Sequence, residues 1–82
     1  MNREEEIARG KAAELLLHNE LLTEAFETLD STYTAAWKAT APGQTDERER
    51  LFALVTALRD VRGHLEQIVV TGDLSRRQLG ID

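Results

Sequence analysis

The chain is 82 residues long and 9.2 kDa, with ten Lys and Arg against fifteen Asp and Glu for a formal net charge of −5. That length leaves room for one small domain and excludes a two-domain enzyme, and the negative balance argues against a general nucleic-acid coat, which needs a positive field to hold phosphates. The absence of Cys rules out disulfide scaffolds, zinc knuckles, iron–sulfur sites and thiol nucleophiles, so the fold must hold by packing.

Met1 to Glu6 carries three consecutive glutamates where a secretory signal would need basic residues and then an apolar run, so export by that route is not expected. Apolar residues then recur at Ala8, Ala12, Leu15, Leu22, Phe26, Leu29, Tyr33 and Ala36, the spacing of one helix face. This predicts a first helix over about 3–38. Continuity of the stripe permits a single rod, whereas Asn19 as an N-cap with Glu20 in the following turn favours a break near 18–19.

Thr40 to Thr45 holds the only Pro, followed by Gly43, and predicts a turn over 39–45. Thr45 reads as the N-cap of a second helix over about 46–71, with Asp46 and Glu47 set against its positive end. Leu51, Leu54, Leu58, Val61, Leu65 and Ile68 alternate steps of three and four, the spacing of the a and d sites of a coiled coil. Thr71-Gly72-Asp73 then reads as a C-cap followed by an N-cap, opening a short third helix over about 74–79. Val 4 and Ile 3, with no useful period-two alternation, leave no sheet to be built. The expected class is all-α: an antiparallel helical hairpin over 1–82 with a short C-terminal helix, completed by oligomerisation.

Tyr33 and Trp37 should lie near the turn, across from Leu51, Phe52 and Val55. A two-helix layer buries one seam, and small folds of this length usually need more helices or a partner. The expected association surface is Phe26, Leu29, Tyr33 and Trp37 with the Leu51-to-Ile68 stripe. Residues 1–40 carry four cations against eight acids, and 41–82 six against seven. Arg48, Arg50, Arg59 and Arg62 could therefore flank a seam against Glu14, Glu20, Glu24 and Glu27, as rim pairs that set register more than stability.

Chemistry is sparse. His18 follows Glu14 by four and His64 follows Asp60 by four, which places each imidazole beside a carboxylate, and no metal-binding motif surrounds either. No phosphate loop or nucleophile elbow is present, so neither catalysis nor a cofactor is expected. Arg76 and Arg77, beside Ser75 and Gln78, are the candidate nucleic-acid contact, without a complete helix-turn-helix around them. No apolar run approaches the roughly 20 residues that cross a bilayer, and the first helix is acidic where a membrane-surface helix would be basic. A soluble protein is expected.

Gly10-Lys11-Ala12 with Leu15-Leu16, Glu24-Ala25-Phe26, Tyr33 with Ala36-Trp37-Lys38 and Thr40, Arg48-Glu49-Arg50-Leu51, Ala57-Leu58, Val61-Arg62, Leu65 and Gly72 stand in an order that resembles small helical proteins encoded among the head and packaging genes of tailed bacteriophages. The resemblance spans nearly the whole chain and carries no catalytic signature. It implies a virion or assembly component, in the host cytoplasm during assembly or in the particle, that forms a homo-oligomer or binds a larger phage structural protein. Two alternatives stand beside it: a packaging accessory touching DNA through Arg76 and Arg77, and a small helical antagonist of a host protein.

Overall fold

The computed structural model describes residues 1–80, and over these the chain is all helical: α1 (Arg3–Leu17), α2 (Glu20–Lys38) and α3 (Thr45–Gln78). α1 and α2 form a broken arm, and α3 folds back antiparallel along both. Asp30 of α2 meets Arg59 in the first half of α3, and Glu6 of α1 meets Ser75 near its end. α1 and α2 scarcely touch each other, so α3 is the spine.

The break lies at His18–Asn19. The Asn19 side chain accepts from the Leu22 amide at 2.9 Å, and the Thr23 hydroxyl donates to the Leu17 carbonyl at 3.2 Å, so groups that a helix end leaves without partners are satisfied locally. Asn19→Ala is expected to cost about 1 kcal/mol, read as a lower urea midpoint, while Asn19→Asp should leave the midpoint nearly unchanged. Upstream, Asn2 caps α1 by accepting from the Glu5 amide at 2.8 Å and donating to the Glu5 carboxylate at 3.1 Å. Glu5, in the middle of the glutamate cluster, thus has a structural task at the positive helix end.

The break also rotates the arm. In α1 the residues turned to α3 are Glu6, Gly10, Ala13 and Leu17; in α2 they are Thr23, Phe26, Asp30, Tyr33 and Trp37, each buried or half-buried. Continuing the α1 spacing past Leu17 would give 20, 24, 27, 31, 34 and 38, so the non-helical joint takes one residue out of phase. The expected stripe through Ala8, Ala12 and Leu15 therefore lies on the wrong side of α1, where all three are exposed and Leu15 is 74% so.

α3 also departs from expectation. Gln44, not Thr45, is its N-cap; the Gln44 side chain turns back to accept from the Ala41 amide at 2.7 Å. The helix then runs unbroken through Thr71-Gly72-Asp73, so no short third helix is separated from it. Gly72 is a site of close approach: a Cβ there would lie 2.9 Å from the Glu6 carbonyl oxygen and 2.9 Å from the Gly10 Cα. The left-handed glycine that ends the helix is Gly80, with φ 75°. Gly72 and Ser75 extend the three-four alternation of Leu51 to Ile68 by another turn, with residues small enough for the backbones to touch.

The molecule measures 56 × 23 × 15 Å with a radius of gyration of 17.2 Å, against roughly 12 Å for a compact chain of this length. Among the described residues the buried apolar side chains are Ala13 and Leu51. No helix is long and apolar enough to cross a membrane, again among the described residues.

Candidate interaction surface

The residues expected to associate between chains mostly line the seam within one chain. Leu51 is buried, and Leu54, Leu58, Leu65 and Ile68 are half-buried under the arm, as are Phe26, Tyr33 and Trp37 on the facing helix. Leu29 and Val61 are different: 40% and 54% of their surface stays exposed. The apolar seam is consumed by hairpin formation, which leaves the two broad sides of the α2–α3 layer, with the exposed Leu15, Leu16 and Leu21 around the joint, as the surfaces on offer.

One broad side is charged. The Arg59 guanidinium donates through Nε and Nη2 to the two carboxylate oxygens of Asp30 at 2.8 and 3.2 Å, across the seam. Glu27, Ser31 and Arg62 line the same shallow hollow of about 180 Å3, with Phe26 and Leu58 at its floor. The acid that Arg59 finds is therefore Asp30 rather than any of the four expected glutamates. Arg50 and Arg62 pair along their own helix, with Glu47 at 2.7 Å and Glu66 at 3.6 Å.

The Arg59 hydrogen bonds and charge hold the Asp30 carboxyl below its ordinary range. A carboxylate whose folded pKa is lowered contributes stability above its unfolded value and loses it as pH falls through the folded one. The Asp30 contribution should thus persist at pH 5 and fade only below the usual carboxylate range. A carboxyl-carbon NMR titration should show Asp30 as a late-protonating acid, and Arg59→Ala should return it to the normal range.

At the hairpin tip the Arg48 guanidinium lies 4.5 Å from the Trp37 ring centroid, a cation–π contact, and donates to the Thr40 hydroxyl at 2.6 Å. That hydroxyl in turn donates to the Trp37 carbonyl at 2.6 Å, closing the end of α2 against α3. A groove of about 240 Å3 opens beside Trp37, between Phe52, Val55, Thr34 and Arg59. Phe52, with 63% of its surface exposed, forms its outer wall.

The other broad side is apolar on α2 and mixed on α3. In α2 it presents Leu22, Ala25, Leu29, Thr32 and Ala36, which recur at seven- and three-four-residue spacing away from the Asp30–Arg59 pair. In α3 it presents Ala53, Ala57 and Val61, with Asp46, Arg50, Asp60 and His64 on the same line of exposed positions.

At the far end the Ser75 hydroxyl, almost wholly buried, donates to the Glu6 carboxylate at 2.6 Å beside the Gly10–Gly72 contact. Arg76 lies 3.5 Å from Asp73 one turn earlier, and Arg77 is exposed on the next position round the helix. The two arginines thus point in different directions, one of them already engaged by a carboxylate. His18 does not use the Glu14 carboxylate; its Nδ1–H donates to the Glu14 backbone carbonyl at 3.0 Å and closes the end of α1. Among the described residues no group of three or more His, Asp or Glu is placed to hold a metal ion.

Sequence reasoning missed Glu6, Gly10 and Ser75 as partners and misread Gly72. The signal that would have found them is the a and d spacing carried on past Ile68 to positions 72 and 75, which hold small residues rather than Leu. The chain matches no protein family, no curated protein and no solved structure.

Proposed function

We propose that this protein is a non-enzymatic structural or interaction protein that works by association, with copies of itself or with a larger structural protein, through apolar helix faces. One observation carries the reading: the chain has 6083 Å2 of accessible surface, whereas a compact folded protein of this mass exposes about 4,900 Å2. The surplus, about 1,200 Å2, exceeds the roughly 800 Å2 that each partner gives to a standard stable interface. Leaving such a surface wet forgoes hydrophobic stabilisation of about 25 cal/mol per Å2 on its apolar part, a large fraction of what holds so small a domain together.

The resemblance to proteins of phage head and packaging modules supports a virion or assembly setting, where small helical units add to symmetric rings or to a larger shell protein. The test is the mass in solution across a concentration series from a few to several hundred micromolar. Reversible growth above 9.2 kDa is expected. A cooperatively melting monomer at the highest concentration defeats self-association.

A further inference from the structure

We propose that a second copy of the chain packs on the broad side of the hairpin that carries Leu29, about a two-fold axis crossing α2 at Leu29 and α3 at the level of Val55, to give an antiparallel four-helix bundle. The inference rests on the association reading above and names its surface.

The argument for a second copy, rather than another partner, is that this side complements itself about one axis. A two-fold perpendicular to the helices lays α2 against its copy and α3 against its copy, each pair antiparallel, so residues equidistant from the axis meet. About Leu29, Leu22 of one chain meets Ala36 of the other, a large side chain on a small one, and the two Leu29 side chains meet at the centre. About Val55, Ala53 meets Ala57, which allows the two α3 helices close approach.

The charges obey the same axis. Arg50 and Asp60 are ten residues apart, roughly 15 Å along the helix, and their midpoint is again 55. Arg50 therefore comes level with Asp60 of the other copy, twice per dimer. Arg50 uses Nε and Nη2 on Glu47, which leaves Nη1 directed to a further acceptor, and Asp60 has no ion-pair partner among the described residues. The two helices run side by side through this region, where Phe26 and Leu58 line one hollow and Asp30 is bonded to Arg59. On the opposite side both Asp30 and Arg59 are taken up by each other across the seam.

The full chain is tested by sedimentation equilibrium from 5 to 300 μM, with helicity followed by circular dichroism. Wild type should fit a dimer, twice 9.2 kDa. Leu29→Glu and, independently, Ala57→Glu should raise the dimer Kd at least 100-fold with helicity kept, while Phe52→Glu on the opposite side leaves it within a few-fold. Arg50→Glu and Asp60→Arg should each weaken the dimer, and the double swap should restore it, which only the two-fold register predicts. A wild-type oligomer unmoved by Leu29→Glu and Ala57→Glu overturns this assignment and leaves the association reading standing, as does loss of the dimer in Phe52→Glu alone. A monomeric wild type at every concentration overturns this assignment and self-association together.

Discussion

Gly72→Ala should lower stability by about 1–3 kcal/mol, the usual cost of overpacking, whereas Gly63→Ala, nine residues earlier in the same helix, should raise it by up to about 1 kcal/mol. Both replace a helical glycine with the best helix former, so propensity alone predicts gain at each. Sterics decide the sign. A Cβ at Gly63 meets nothing within 4 Å, but at Gly72 it meets the Glu6 carbonyl oxygen and Gly10 Cα at 2.9 Å, both backbone atoms that no rotamer change can move aside.

The helices must separate, and the nearby Ser75–Glu6 hydrogen bond lengthens with them. Gly10→Ala should behave like Gly72→Ala, since its Cβ would lie 3.0 Å from Gly72 Cα. Thermal melts read the result: a domain of this size moves by about 4–8 °C per kcal/mol, so the two alanine variants should fall on opposite sides of wild type. A Gly72→Ala protein melting above wild type would show that the crossing is loose.

How much of this was legible in the sequence depends on how local each signal is. The all-helical class follows from Leu and Ala content and from the spacing of Leu51 to Ile68, which needs no knowledge of the partner helix. The Asn19 cap is equally local, because an Asn accepts from an amide three residues on whatever the rest of the chain does. The face of α1 was not legible, because it is set by a rotation at His18–Asn19 that spacing alone cannot measure. Ala8, Ala12 and Leu15 look like a continuation of the Leu22 and Phe26 stripe only if the helix is straight.

Gly72 was misread for a related reason. A glycine near the end of an apolar rod commonly ends a helix, and only the position of Gly10 on the facing helix reveals that it marks a contact instead. The association surface was half legible. Leu29 and Val61 stood among the expected residues and are exposed, while their companions are taken up by the intrachain seam. What distinguishes the two broad sides is the gathering of Glu27, Asp30, Arg59 and Arg62 around one hollow, which appears only when the hairpin is assembled.

Leu51→Ala should be the most damaging truncation of a single leucine, at about 2–4 kcal/mol, from a domain whose whole stability is on the order of 4–12 kcal/mol. Leu51 is 3% exposed, the one large apolar side chain among the described residues to be buried so completely within the chain, so its removal leaves a cavity rather than a dent. Phe52→Ala deletes more atoms from the next residue, yet with 63% of Phe52 exposed the cost should stay below about 1 kcal/mol.

Urea midpoints at two protein concentrations separate the contributions. An interaction made within the chain shifts the midpoint equally at both, whereas one made between copies weighs more at the higher concentration. Leu51→Ala should show the first behaviour and Leu29→Ala the second. Equal costs for Leu51 and Phe52 would mean that the outer wall of the Trp37 groove is covered in solution, placing the partner on the charged side of the hairpin and not against Leu29.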